Sequence, residues 1–264
     1  MTDSHCHPWD FLEFMAEAEE ERWLTGTAAA ASSWNREQFE YHEGLARKAH
    51  LDRAPPLLLC FAIHPQLSAG NDFSFPEGLD FLGSLAGDGR LDAIGETGFD
   101  LYDKKYREGE KIQEKIFLNH LEIALAFNLP MVLHIRKAMH KVFPFSKELK
   151  KLPSVIFHSW SGTRGEGEAI LKRGINAFFS FGTTVLKNHL EAMACAATMS
   201  PDRLLLETDA PYQPPRGKAF SSWSDLETIC SCIAALRKEA AGPCSTREEL
   251  REKTTDNFFR AYKR

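Results

Sequence analysis

Long apolar runs are missing from this chain of 264 residues. None approaches the roughly 20 consecutive apolar residues that a membrane-spanning helix requires. The first residues, MTDSHCHPWD, include neither the basic stretch nor the apolar stretch of a secretory signal. We therefore expect a cytoplasmic protein with no membrane association.

The sequence also lacks an excess of basic charge and any cysteine spacing typical of a zinc site. A formal net charge of −5 excludes a protein that coats nucleic acid non-specifically, because such binding needs a broad basic face. It still allows an enzyme that neutralises a few phosphates locally. With no C-x-x-C pair, we expect the cysteines to be free thiols. They are Cys6, Cys60, Cys195, Cys230, Cys232 and Cys244.

No linker, internal repeat or low-complexity segment divides the chain. Hydrophobic residues make up 43% and charged residues 26% of the sequence, which is ordinary for a globular domain. The length is close to the roughly 250 residues of one (β/α)₈ barrel. We therefore expect residues 1–264 to form a single domain.

Short apolar segments alternate with longer amphipathic ones along the whole chain. The clearest helix covers 111–129, where apolar residues recur at helical spacing. Most predicted strands are apolar almost throughout, as strands buried on both faces should be. About eight such alternations predict a TIM-like (β/α)₈ barrel, with a doubly wound open sheet as the alternative α/β fold. The apolar segments lie at 2–7, 24–33, 55–65, 91–100, 130–136, 153–160, 175–183 and 203–211.

Residue types that bind metal ions recur at the carboxyl ends of these segments, where a barrel builds its active site. His5 and His7 close the first, and their i, i+2 spacing puts both imidazoles on one strand face with Cys6 on the other. Each residue alone could be a structural histidine or a turn carboxylate, but their shared position favours a metal site. The others are His64, Glu96, His134, His158 and Asp209, after the third, fourth, fifth, sixth and eighth segments.

Several segments of the chain resemble the TatD family of metal-dependent deoxyribonucleases, a branch of the amidohydrolase-like barrels. They occur in the family's order and extend over essentially the whole chain. They are DSHCH at 3–7, AIHP at 62–65, AIGETGFD at 93–100, QEKIFLNHLEIALAFNLPMVLHIRKA at 113–138, FHSWSG at 157–162, LLLETDAPY at 204–212, PPRGK at 214–218 and NFFR at 257–260.

This resemblance implies a site for divalent metal ions in which Glu96 bridges two ions and His64 contacts the substrate phosphate. Departures from the family pattern at Pro8, Trp9, Ala62 and Trp160, and a shortened stretch after position 212, lie on the expected pocket wall and rim. They bear on substrate choice rather than on metal binding. The implied ligands are His5, His7, Glu96, His134, His158 and Asp209.

Histidine and carboxylate ligands suit Zn²⁺, Mn²⁺ or Fe²⁺ and also permit Mg²⁺. We expect Asp209 and Glu96 to be catalytic, with Asp209 as the general base. Arg136, two residues after His134, would hold a phosphate if the strand continues, or else form a salt bridge across the rim. Glu207 either orients a ligand or has a structural role.

The leading prediction is a divalent-metal-dependent hydrolase that cleaves DNA phosphodiester bonds by metal-activated water. The resemblance adds a 3′-5′ exonuclease preference for single-stranded ends, and we expect a monomer. One alternative keeps the metal barrel but hydrolyses a small ester, lactone, amide or phosphoester, because one metal set serves many reactions. A non-catalytic binding protein on a barrel scaffold is the other, although every ligand position is filled.

Overall fold

A single sheet of eight parallel strands, ordered β1 to β8 as in the chain, forms the centre of the protein. The structure is a computed structural model that describes residues 1–69 and 75–263. The strands are β1 Thr2–Cys6, β2 Ala28–Ser33, β3 Leu57–Phe61, β4 Ala93–Asp100, β5 Met131–Arg136, β6 Val155–Phe157, β7 Ala177–Phe181 and β8 Leu204–Leu206.

Helices follow the strands and cover the outside of the sheet. Their bounds in chain order are α1 Ala18–Leu24, α2 Arg36–Leu51, α3 Phe75–Gly87, α4 Lys104–Glu108, α5 Glu110–Phe127, α6 Met139–Val142, α7 Ser146–Leu149, α8 Arg164–Lys172, α9 Leu190–Thr198, α10 Asp225–Glu239 and α11 Arg247–Ala261. Short 3₁₀ turns lie at Asp10–Glu13, Pro65–Ala69, Phe143–Phe145, Thr183–Lys187 and Pro201–Arg203.

The sheet closes almost completely into a barrel because β1 lies beside β8. The Asp209 amide donates to the His5 carbonyl at 3.0 Å, and the His7 amide donates to the Ala210 carbonyl at 2.7 Å. The buried Asp3 carboxylate accepts hydrogen bonds from the Thr208 amide and hydroxyl. Burial raises the pKa of Asp3 to about 7. These bonds fix the two chain segments that carry His5, His7 and Asp209.

Apolar side chains fill both layers of the fold. The outer faces of the strands pack against the helices in a large buried cluster. The barrel interior holds mainly one or two small or apolar residues from each strand after β1. Helix α11 packs against these residues at the end of the barrel where the strands begin. The Ser154 hydroxyl, just before β6, donates to the Ala261 carbonyl and marks that end. The interior residues are Ala28, Ala30, Cys60, Ala93, Val132, Ile156, Phe178 and Leu205.

The predicted TIM-like barrel is confirmed, and the doubly wound alternative is wrong because the strands follow one another around the sheet. Several strands are shorter than predicted: β3 ends at Phe61 and β8 at Leu206. All six cysteines are free, as expected. Among the described residues every helix is too short or too polar to cross a bilayer. The single domain and the cytoplasmic location stay predictions.

Candidate metal centre

The structure brings all six predicted ligands together at the carboxyl end of the barrel. His5 and His134 lie on strands, and His7 and His158 directly follow β1 and β6. Glu96 lies in the middle of β4, not at its end. His64 and Asp209 lie in loops, three residues beyond β3 and β8. The strand-end prediction therefore found the correct end of the barrel, although four of these seven residues lie beyond the strands rather than on them.

Glu96 is at the centre of this cluster, and one of its oxygens, Oε2, faces the pair from β1. His5 Nε2 lies 3.1 Å from this oxygen and His7 Nε2 lies 3.8 Å from it. Asp209 Oδ1 completes the group, at 3.7 Å from His5 Nε2 and 3.4 Å from His7 Nε2. Two nitrogens and two carboxylate oxygens thus converge on one position.

The other Glu96 oxygen, Oε1, faces three further histidines. It lies 2.5 Å from His134 Nδ1, 2.7 Å from His158 Nε2 and 3.2 Å from His64 Nε2. His134 Nδ1 and His158 Nε2 are 3.3 Å apart. The two oxygens of one carboxylate therefore serve two separate groups of nitrogen donors.

The charges of these groups support one another. Burial alone would raise the pKa of Glu96, but the surrounding histidines hold it well below its usual value. Burial would lower the pKa of His158, yet Glu96 and Glu207 hold it well above its ordinary value. Against the same effect of burial, Glu96 and Asp100 raise the pKa of His134. Glu96 and the rings of His134 and His158 therefore favour each other's charged forms.

Asp100 lies directly behind His134 in this site and was not singled out by the sequence analysis. Its Oδ2 lies 3.2 Å from His134 Nε2 and accepts a hydrogen bond from Gln66 Nε2 at 2.7 Å. Despite burial, which would raise it, these bonds lower the pKa of Asp100 to about 2. The contact leaves His134 Nδ1 directed at Glu96, as expected for a carboxylate behind a metal-binding histidine. Its spacing of four residues from Glu96 on one strand was the available signal.

Glu207 supports the second group of donors. It is fully buried, and its Oε1 accepts a hydrogen bond from the Ser159 amide at 2.7 Å and lies 3.6 Å from His158 Nδ1. Glu207 thus lies behind His158, the position from which a carboxylate could orient that ring. It does not share a strand face with Asp209, because β8 ends at Leu206.

Asp209 is held in an unusual backbone conformation by the loop after β8. Its φ is 57°, in the left-handed region that costs non-glycine residues on the order of 1 kcal/mol or more. Its Oδ2 accepts a hydrogen bond from Gln213 Nε2 at 2.7 Å, so the two oxygens have different environments. Although burial raises it, the bond from His7 and the nearby histidine charges lower the pKa of Asp209 to about 2.

The cluster lies at the bottom of an open cavity of about 1330 Å³. Arg136 lies on the cavity rim, where its guanidinium is 3.9 Å from the centre of the Tyr102 ring. Its Nη1 is 3.9 Å from Asp100 Oδ2, so the predicted salt bridge is present but long, and the side chain is 46% exposed. Other aromatic side chains on the cavity wall are Trp34, Tyr106, Phe157, Trp160 and Tyr212.

The residues present fit a divalent metal centre. Imidazole nitrogens and carboxylate oxygens are the donors that Zn²⁺, Mn²⁺ and Fe²⁺ prefer, and the carboxylates also suit Mg²⁺. Three combinations of these donors lie within 4.8 Å of one another, namely His5 with His158 and Asp209, His5 with His7 and Glu96, and His64 with Glu96 and His134. More donors converge here than the four that one tetrahedral ion uses.

Comparison with known proteins agrees with this reading. A sequence profile described as TatD related DNase matches residues 2–263. The chain belongs to this family. It is 31% identical over 193 residues to YcfH of Escherichia coli K12, named an uncharacterized metal-dependent hydrolase, covering 71% of this chain and 68% of YcfH. It is 34% identical over 159 residues to the 3′-5′ ssDNA/RNA exonuclease TatD of Cronobacter sakazakii, covering 60% and 58%.

Solved structures show the same fold. YjjV, a TatD homologue from Escherichia coli, superimposes with a TM-score of 0.82 at 22% identity, covering 99% of this chain and 97% of YjjV. A TatD family hydrolase from Entamoeba histolytica gives a TM-score of 0.73 at 16% identity, covering 100% of this chain and 98% of that protein. The chain is thus a TatD-family barrel of the metal-dependent hydrolase type.

Proposed function

We propose that this protein is a deoxyribonuclease of the 3′-5′ exonuclease type that hydrolyses phosphodiester bonds at single-stranded DNA ends. The observation that carries the proposal is the division of Glu96 between two groups of donors under an open cavity. The exonuclease name of the Cronobacter sakazakii relative supports the choice of substrate. We expect the protein to act as a monomer.

Two divalent ions fit this arrangement, of Mg²⁺, Mn²⁺ or Zn²⁺. His5, His7 and Asp209 would hold one with Glu96 Oε2, and His134 and His158 would hold the other with Glu96 Oε1. When bound, such ions would stabilise charge on the attacking and leaving oxygens and would lower the pKa of a bound water toward ~7. Glu96 is catalytic in this scheme because it orders both groups of donors.

Asp209 is the proposed general base. Its carboxylate is anionic at neutral pH, and Oδ1 is the oxygen that Gln213 leaves free to accept a proton from the attacking water. His5 and His7 face the same oxygen, and their contacts favour the anionic form of this carboxylate. The low pKa makes Asp209 a weak base, suited to accept a proton from a water that a bound divalent ion would acidify.

His64 is suited to donate a hydrogen bond to a substrate phosphate. The Gln66 amide donates to His64 Nδ1 at 3.3 Å, so the proton of the neutral ring is on Nε2. Burial lowers the pKa of His64, which favours this neutral form. Its Nε2 faces Glu96 and the cavity, next to the second group of donors.

Arg136 is the proposed contact for a neighbouring phosphate. Its ion pair with Asp100 is weak because it is 3.9 Å long and the side chain is about half exposed, which leaves the guanidinium available to a substrate. A guanidinium can hold a phosphate through two parallel hydrogen bonds. Tyr102, beneath it, limits the directions in which the side chain can point.

The test is kinetics of metal-loaded protein on labelled single-stranded oligonucleotides and on a small neutral ester. For wild type, oligonucleotide affinity should weaken with salt. We expect log K to fall by about 0.7 per phosphate contact for each tenfold rise in salt concentration. Arg136→Ala should raise the oligonucleotide KM several-fold and flatten that slope, with little effect on the ester. Arg164→Ala is a matched control, because Arg164 pairs with Glu168 on an exposed helix turn.

The net charge of −5 keeps the small-molecule hydrolase open as the second candidate. If oligonucleotides resist cleavage with every metal while the ester is turned over independently of Arg136, the nuclease proposal is wrong. A hydrolase of small esters or phosphoesters then takes its place.

A further inference from the structure

The side chain of Gln213 joins the two loops that carry opposite sides of the metal centre. Its Nε2 lies 2.7 Å from Asp209 Oδ2 and 2.7 Å from Ser159 Oγ. Asp209 belongs to the group around Glu96 Oε2, whereas Ser159 directly follows His158 of the other group. An amide nitrogen has two hydrogens, so Gln213 can donate one to each oxygen.

The backbone around this bridge is held in place at several points. Asp209, Gln213 and Ser159 all have left-handed φ values, of 57°, 52° and 48°. Such values persist in non-glycine residues only where the surroundings impose them. The Thr183 hydroxyl donates to the Gln213 carbonyl at 2.5 Å, and the Ser159 amide donates to Glu207. The bridge therefore connects segments that are themselves fixed.

The consequence for Asp209 is a fixed carboxylate plane. With Oδ2 bound to Gln213, Oδ1 is the oxygen that faces His5 and His7, at 3.7 and 3.4 Å. A neutral amide orients the carboxylate without cancelling its charge, which a lysine at the same place would do. The amide is therefore suited to keep Asp209 both anionic and directed.

We propose that Gln213 is a positioning residue that orients Asp209 for metal binding and proton transfer and ties it to the His158 loop. The proposal rests on the role of Asp209 in the proposed function. Gln213 would act only through Asp209 and Ser159 and need not touch the substrate.

Gln213→Met tests this, because methionine keeps the length and bulk of the side chain but removes both donors. We expect kcat to fall about 10- to 100-fold, the usual cost of losing a partner behind a metal ligand, with KM within about twofold. Calorimetric titration with Mn²⁺ alone should show weaker binding by about 10-fold. Ser159→Ala, which removes only one acceptor, should give smaller changes in the same direction and provides a second route if Gln213→Met does not fold.

A double-mutant cycle separates positioning from a general structural effect. In an Asp209→Asn background, Gln213→Met should reduce kcat by less than about twofold, because its target is already altered. An equal loss in both backgrounds would overturn the proposal, as would Mn²⁺ affinity and kcat within twofold of wild type in the single variant. If wild type cleaves no oligonucleotide, the nuclease proposal fails, while Mn²⁺ titration and ester kinetics still decide the role of Gln213.

Discussion

Two groups of buried histidines in this barrel have opposite surroundings. Those at the mouth face carboxylate oxygens, as His134 and His158 face Glu96. His42 on α2 and His120 on α5, which we call the wall histidines, instead accept hydrogen bonds at Nε2 from the amides of Trp9 and Ile63. Their other nitrogens contact the hydroxyls of Ser33 and Thr97.

The two groups differ in what each ring nitrogen is needed for. A wall histidine uses both nitrogens to satisfy buried neutral groups, so it has no lone pair left for an ion. Burial lowers the pKa of both His42 and His120 to about 3. Carboxylates reverse the effect of burial at the mouth for His134 and His158. The partners of the two ring nitrogens, rather than burial, thus distinguish the histidines at the mouth from His42 and His120.

The largest effect should come from removing the carboxylate that defines the mouth. Glu96→Gln keeps the shape of the side chain but gives the surrounding histidines a neutral partner. We expect turnover to fall by more than the ~10- to 100-fold that loss of an outer-shell partner costs, and at least one of two bound ions to be lost. Elemental analysis after gel filtration, together with kcat, measures both.

His120→Gln is the matched control in the wall. Its amide can replace the two hydrogen bonds of the ring, so metal content and kcat should remain near wild type even if the melting temperature falls. The comparison breaks down if this variant loses metal while Glu96→Gln retains two ions.

Within the mouth, loss of the Asp209 carboxylate should reduce turnover for a different reason than loss of the Glu96 carboxylate. Asp209→Asn keeps the size of the side chain but removes its charge and most of its basicity. We expect kcat to fall at least ~10²-fold, the lower end for a positioned proton acceptor, with the fold intact by circular dichroism. Near-normal turnover in the metal-loaded variant would rule out Asp209 as the base.

The smallest effect concerns His42 and His120, which should make the free energy of unfolding fall as the pH is lowered. Unfolded chains protonate histidine near pH 6.5, whereas folded His42 and His120 stay neutral until about pH 3. Their contribution is therefore complete above pH 6.5 and is lost as pH falls toward 3. Each removes up to about 1.4 kcal/mol of unfolding free energy per pH unit in that window.

Urea unfolding at a series of pH values, with chelator present to remove metal, measures this loss. His120→Gln should show a shallower decline than wild type, because one of the two titrating rings is gone. Identical slopes for the two proteins would contradict the neutral state assigned to His120.

The sequence by itself determined the barrel and the identity of the residues at its mouth. Alternating apolar segments specify parallel strands, and parallel strands in a barrel bring their carboxyl ends together. The i, i+2 spacing of His5 and His7 was sufficient to place both on one face. These inferences use only periodicity and chain order, which are local properties.

Only the tertiary structure decided how those residues are arranged. The division of Glu96 between two groups, the support of His134 by Asp100 and the bridge from Gln213 to Asp209 all join atoms of different strands or loops. The stagger of neighbouring strands and the path of each loop set such contacts. The same reason explains why His120, within a helix that matches the family pattern, is a wall residue while His134 faces the centre.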